Sequence, residues 1–345
     1  MSMSSSNAAA KRVLVTGGNK GIGYAICKKL LEDHADVHVL LGSRDPSRGE
    51  QAVQSLQSIL PESSKDRVEL VIIDTSSDDS VKSASETVSG KYDSLYGIIN
   101  NAGIGFGNGF TDTINTNYFG PRRVCDSFAP FIIRPEGRIV NIASASGPNF
   151  VSRCQDKTLV EKFTSPLSFQ DGSVTGDGID KLDELAKSYD GQTDYGDEAY
   201  GVSKALVNAY TALFAKANTD LIVNSCSPGY ILTDMTRGMG ASNAPEKGTV
   251  SPVHLLLNDE MKTLPTGRYY GSDAVRSPMV SSKFGTGFID VYKWTNLSNF
   301  FILALLPRTR RTCIRRSLNL DNGIEEILSC SLDYDVLQSN TINKK

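Results

Sequence analysis

The sequence predicts an α/β protein: a doubly wound parallel sheet in a three-layer α/β/α arrangement. Three observations carry this. Short apolar runs alternate with longer amphipathic stretches, and strand–helix repetition in series gives parallel sheets. The apolar runs are continuous rather than alternating, as in strands covered on both faces. The first run ends in a glycine-rich turn that opens an amphipathic stretch.

Each element follows in order. RVLVTG (12–17) reads as the first strand, and GIGYAICKKLLED (21–33) as a helix with Ile22, Ala25, Ile26 and Leu30 on its apolar face. VHVLLGS (37–43) is the second strand. Asp45 before Pro46 marks a helix start, a carboxylate capping free N–H groups with proline in the first turn. That helix runs through AVQSLQSIL (52–60). VELVIID (68–74) is the third strand and DDSVKSASETV (78–88) a surface helix. LYGIINNAG (95–103) and RIVNIAS (138–144) supply the fourth and fifth strands. A long helix covers 200–217, and LIVNSCSPG (221–229) is the sixth strand.

Composition narrows the function classes. The 345 residues suit one α/β domain plus additions, and 39% hydrophobic content permits a sizeable core. A formal charge of −3 argues against a general nucleic-acid binder. The six cysteines form no CxxC pair, which fits reduced thiols in an intracellular protein. The three histidines show no metal-ligand spacing, so no metal site is expected. MSMSSSNAAAKR lacks a signal-peptide core, and FFILALLP (300–307) is too short to span a bilayer. A soluble, cytoplasmic protein with no membrane partner is the expectation.

The turn TGGNKGIG (16–23) has the strand–turn–helix shape that binds a dinucleotide pyrophosphate, where glycine lets the backbone approach the phosphates. This makes the sheet Rossmann-type. Its spacing, Gly17-xxx-Gly21-x-Gly23, differs from GxGxxG, and a ligand-free flexible loop is the alternative for such a turn in isolation. Lys20 and Arg44, the latter just past the second strand, are basic where the 2′-phosphate of NADP would sit. Arg44 taken alone also reads as a surface arginine. Together the two favour NADPH/NADP+.

TGGNKGIG, NNAG (100–103), NTNYFG (115–120), RIVNIAS, YGVSK (200–204) and SPGYILTDM (227–235) appear in the order of the short-chain dehydrogenase/reductase family, which the chain resembles over residues 11 to about 280. SRDPSRGEQAVQSL and the GGNK turn are most similar to its carbonyl reductase subgroup. The resemblance implies catalytic residues Asn117, Ser144, Tyr200 and Lys204. It implies a cofactor site of Gly17, Asn19, Lys20, Gly21, Ile22, Gly23, Arg44, Asp74, Asn100, Gly103, Tyr200, Lys204, Pro228, Gly229 and Thr233. Ser144 would hydrogen-bond the substrate carbonyl, and Asn117 would hold a water that relays protons through Lys204. Ala143 stands where many members have serine; Ser144 is the matching one.

The residues support this chemistry. Tyr200 and Lys204 are one helical turn apart and share a face. A free phenol ionises at about 10, and bringing it near neutrality takes roughly 4 kcal/mol of differential stabilisation. A nearby ammonium and the oxidised nicotinamide favour the phenolate. The expected reaction is NADPH-dependent reduction of ketones, aldehydes or quinones, with Tyr200 as general acid. The rival on the same fold is a catalytically weak NADP-binding sensor, against which the intact Ser144, Tyr200 and Lys204 set weighs.

Residues 145–199 form an insertion before the Tyr200 helix, comparable to one in carbonyl reductases. It is expected to cover a face used for subunit contacts and to leave a monomer. LDELAKSY (182–189) reads as a helix, and the acids Asp177, Asp180, Asp183, Glu184, Asp190, Asp194, Asp197 and Glu198 as a solvated face. The expected organisation is a flexible start (1–10), a reductase domain (11–285), and a poorly ordered extension (286–345) carrying Arg308, Arg310, Arg311, Arg315 and Arg316.

Overall fold

A computed structural model describes residues 10–166, 177–193 and 198–279, together with two strands nearer the C-terminus. The chain divides into two units, Met1–Phe288 and Ile289–Lys345. The expected flexible start lies outside the described residues except for its last residue, as do Asp194, Asp197, Arg308, Arg310 and Arg311.

In the first unit, β1 (Lys11–Val15), α1 (Gly21–Asp33), β2 (Val37–Ser43), α2 (Pro46–Ile59), β3 (Val68–Ile72), α3 (Asp78–Lys91) and β4 (Gly97–Asn100) follow one another. Asp45 caps α2 as expected, its Oδ1 accepting from the Arg48 N–H at 3.0 Å. Next come α4 (Phe110–Ile114), a π-helical turn (Asn115–Phe119) and α5 (Gly120–Phe128), then β5 (Arg138–Ile142). The insertion contributes α6 (Ser146–Arg153), α7 (Lys157–Thr164) and α8 (Asp177–Lys187) before α9 (Glu198–Ala217). The unit ends with β6 (Ile222–Cys226), α10 (Val250–Leu257) and β7 (Tyr269–Tyr270).

The seven strands are parallel in the order β3-β2-β1-β4-β5-β6-β7. Strand order reverses between β1 and β4, the crevice where open α/β sheets take ligands. One sheet face, with Leu14, Leu40, Ile98 and Ile139, packs on α3, α5 and α9. The other, with Val13, Val15, Val39, Leu41, Ile99 and Val140, packs on α1, α2 and α10. Two covered faces explain the unbroken apolar runs.

The insertion lies on α9. Val151, Phe163, Ile179, Leu182 and Ala186 join the core around Val202, Leu206 and Tyr210. Each large apolar side chain so buried is worth about 1.5–3 kcal/mol, enough to hold short helices in place. Close approach of α6 depends on glycine: a Cβ at Gly147 would meet the Ala205 nitrogen at 2.9 Å, and one at Gly201 the Phe150 Cβ at 2.9 Å.

The acidic stretch is not wholly a solvated face: Asp183 turns inward. It accepts from the buried Tyr118 hydroxyl at 2.6 Å and from Arg122 Nε at 3.3 Å. Among the described residues no group of acids, histidines and cysteines could hold a metal ion. In the second unit, β8 (Ile314–Leu320) and β9 (Gly323–Ser329) pair antiparallel, with Arg316 opposite Ile327.

Candidate active site

The site is assembled where β1 and β4 diverge. Thr16, at the end of β1, accepts through Oγ1 from the N–H groups of Asn101 and Ala102, both at 3.0 Å. The Asn101 amide returns bonds to the carbonyls of Thr16 and Gly17. The glycine turn is thus stitched to the loop after β4. Gly17 and Gly21 have φ of +65° and +57°, which side chains rarely tolerate. At Gly23 a Cβ would lie 2.3 Å from the Gly17 carbonyl oxygen, so only glycine lets α1 start this close to the turn.

The N-terminus of α1 carries no side-chain cap and no acid in its first turn. Its first N–H groups are therefore donors in search of an acceptor, which a phosphate supplies. They open on a cavity of about 1120 Å³ that runs past Arg44 and Asp74 to Ser144 and Tyr200. Burial pushes the Asp74 carboxyl up, but bonds from Ser76 and the charges of Arg44 and Arg123 outweigh it and hold it below the usual range.

At the far end, Ser144 follows β5, and its Oγ accepts from the Ser146 N–H at 3.2 Å. Burial raises the Tyr200 phenol above its ordinary value, with the Ser144 hydroxyl partly offsetting it. Lys204 is 5% exposed and donates to the Ile142 carbonyl at 2.8 Å. Burial drives its ammonium down to about 8. Its Nζ lies 5.6 Å from the centre of the Tyr200 ring. The Phe106 ring leans on Tyr200 at 4.6 Å, and Met235 fills the space over Gly105.

The family model for short-chain dehydrogenases matches residues 11–165. Carbonyl reductase (NADPH) 1 of Bos taurus is 32% identical over 287 residues, covering 79% of this chain and 99% of the relative. Carbonyl reductase (NADPH) 3 of Mus musculus is 34% identical over 279 residues, covering 76% and 97%. The solved structure of salutaridine reductase from Papaver somniferum superimposes with a TM-score of 0.63 at 25% identity, covering 75% of this chain and 99% of that one. This chain belongs to the short-chain dehydrogenase family.

In this short-chain dehydrogenase the cavity wall includes nearly every residue singled out from the sequence. Gly17, Asn19, Lys20, Gly21, Ile22, Gly23, Arg44, Asp74, Gly103, Ser144, Tyr200, Lys204, Pro228, Gly229 and Thr233 all line it. Asn100 does not. Its amide points into the sheet, donating to Asn141 Oδ1 at 2.8 Å and to the Cys125 sulfur at 3.3 Å. The neighbouring Asn101 is the one on the cavity.

Asn117 sits one layer behind the wall, 1% exposed, in the π turn. It bonds another segment rather than its own helix. Oδ1 accepts from the Ile104 N–H at 2.8 Å, and Nδ2 donates to the Ile104 carbonyl at 2.9 Å and to Ser203 Oγ at 3.2 Å. Lys20 lines the cavity but also pairs with Asp234 at 3.0 Å, across the mouth. Thr16, Asn101, Phe106 and Asp234 were missed from sequence. Thr16, Asn101 and Asp234 stand inside the motifs TGGNKGIG, NNAG and SPGYILTDM, which is the signal they carry, whereas Phe106 lies outside every motif.

Proposed function

We propose that this protein is an NADPH-dependent carbonyl reductase, converting ketones, aldehydes or quinones to alcohols with Tyr200 as general acid. One observation carries the reading: a single cavity joins the uncapped α1 terminus to the Tyr200, Ser144 and Lys204 cluster. The named function of its carbonyl reductase relatives supports it. The residues fit the cofactor. Gly17, Gly21 and Gly23 leave room for a pyrophosphate against α1, and Arg44 offers a cation for the 2′-phosphate.

When bound, NADPH supplies the hydride equivalent. The chain manages the proton. Ser144 holds the carbonyl oxygen, and Tyr200 donates its phenolic proton to that oxygen as it becomes an alkoxide. A phenol raised by burial is protonated at neutral pH, which suits an acid and the reductive direction. The Lys204 ammonium then stabilises the phenolate left behind. A water held by Asn117 relays the replacement proton by way of Lys204.

The insertion supports a monomer, because α6, α7 and α8 occupy the outer side of α9. Residues 11–285 form the reductase domain of this proposal and 286–345 its extension. The partners are small carbonyl compounds, with neither nucleic acid nor membrane involved, and the setting is the cytoplasm. No described helix is long and apolar enough to cross a membrane. NADPH consumption with a panel of aldehydes, ketones and quinones tests the reading. Tight NADPH binding without turnover of any of them overturns it.

A further inference from the structure

The π turn Asn115–Phe119 interrupts what is otherwise one helix from α4 through α5. Such turns are rare, cost hydrogen-bond geometry, and persist only where the surroundings over-determine them. Relaxation to a regular α-helix would rotate the following residues by about 100° relative to those before, since a residue is added or removed from the turn. Asn117 and Tyr118 therefore need to be held in place from outside the helix.

On the inner side, Asn117 is held by Ile104 and Ser203. On the outer side, the fully buried Tyr118 sends its hydroxyl to Asp183 Oδ1 at 2.6 Å. The other oxygen of Asp183 takes Arg122 Nε at 3.3 Å, and Arg122 also pairs with Asp126. Asp183 lies on α8, within the insertion. Its side chain is 16% exposed, so this ion pair is poorly screened and harder to replace with water than a surface one. The Tyr118 ring is further fixed edge-on against Tyr210 of α9, at 6.2 Å and 88°.

We propose that Asp183 is a positioning residue: by holding Tyr118 it fixes the π turn, and so holds Asn117 against Ile104 and Ser203, the residue preceding Lys204. The insertion is then part of the catalytic apparatus and more than a cover for α9. Asn117 also backs the cavity wall at Gly103, where an added Cβ would meet its Oδ1 at 3.1 Å. The catalytic consequence rests on the reductase reading above, and the structural one does not.

The experiment uses the full chain with Asp183→Ala and, independently, Tyr118→Phe, which keeps the ring and removes only the hydroxyl. Hydrogen exchange is followed at the Ile104 N–H, which the Asn117 side chain accepts. Exchange there should accelerate about tenfold in both variants, while the β5 peptide keeps its protection. Turnover should fall about tenfold or more with the Kd for NADPH within about twofold, since the glycine turn is untouched. Asp183→Asn, which keeps an oxygen for Tyr118, should recover most of both.

Unchanged exchange at Ile104 in Tyr118→Phe overturns the inference, as does acceleration spread evenly over the sheet, which marks a merely structural role. If Asp183→Ala fails to fold, Tyr118→Phe decides alone. A wild-type protein that reduces no carbonyl sinks the reductase reading, while the exchange result still decides this one.

Discussion

Lys204 donates a hydrogen bond to the Ile142 carbonyl oxygen at 2.8 Å from a position almost closed to solvent. One N–H is spent on the backbone and two are left for work in the cavity. The arrangement costs stability. Burial displaces the ammonium from 10.5 to about 8, which corresponds to about 3 kcal/mol. Between those two values the unfolded chain holds a proton that the folded protein has lost. Stability therefore rises with pH across that window. Lys204→Met removes the titration along with a hydrogen bond worth about 1 kcal/mol. The variant should be more stable than the wild type by about 2 kcal/mol at pH 7, with the gap closing by about pH 10. Urea unfolding at the two pH values measures it, and a less stable variant at pH 7 contradicts the account.

Tyr200→Phe should leave the Kd for NADPH within about twofold and lower kcat by about a hundredfold or more, the usual worth of a positioned acid. The pH profile adds a second check. With the phenol raised by burial and Lys204 titrating at about 8, log(kcat/KM) for reduction should be flat near neutrality. It should then fall above about pH 8 as the charge that stabilises the phenolate is lost. A profile rising through that region would mean that the free amine, and not the ammonium, is the working form.

How far the sequence reveals the site depends on whether a residue's partner is local. The first six strands of the parallel sheet, the Asp45 cap and the glycine turn are written in runs of adjacent residues and are legible, whereas the β8–β9 pair lies in a stretch read as a poorly ordered extension. The two-residue strand Tyr269–Tyr270 was not, because its length is below any periodicity signal and its pairing with β6 is set by tertiary contact. Asn100 and Asn101 show the same limit at one position. Asn100 ends β4 with its amide turned into the sheet, Asn101 just past the strand turns toward Thr16, and the motif alone does not say which is which. Asp183 looked like one acid among many. Its buried partner lies 65 positions earlier. Arg138, fully buried with its Nη1 on the Leu255 and Asn258 carbonyls, gave no sign of burial either.

Gly23→Ala tests the close start of α1. The added methyl would lie 2.3 Å from the Gly17 carbonyl oxygen and 2.5 Å from the Asn101 amide nitrogen. The first neighbour is backbone and cannot swing aside, so the turn itself must move. Overpacking of this kind costs about 1–3 kcal/mol. The same displacement pulls the N–H groups proposed to hold the pyrophosphate out of line, so NADPH affinity should fall at least tenfold while the far half of the sheet stays folded. Thermal unfolding and fluorescence titration with NADPH measure the two effects. Wild-type affinity in the variant would show that the pyrophosphate does not rest on this turn.

Arg44 and Lys20 were both assigned to the 2′-phosphate, but their surroundings differ. Arg44 is exposed at the cavity edge, whereas Lys20 is already engaged by Asp234, which also pairs with Arg237. A cation shared with a carboxylate has less to offer a phosphate. Arg44→Ala should therefore raise the Kd for NADPH about tenfold, the loss of one charge-assisted contact, and leave NADH nearly unchanged. Lys20→Ala should cost less than Arg44→Ala. Asp234→Asn, which frees Lys20, should tighten NADPH binding by about twofold, an effect that fades with added salt because both groups are more than half exposed. Titrations with both nucleotides at low and high ionic strength separate these outcomes. Equal losses for NADH and NADPH in Arg44→Ala would remove the arginine from the phosphate site.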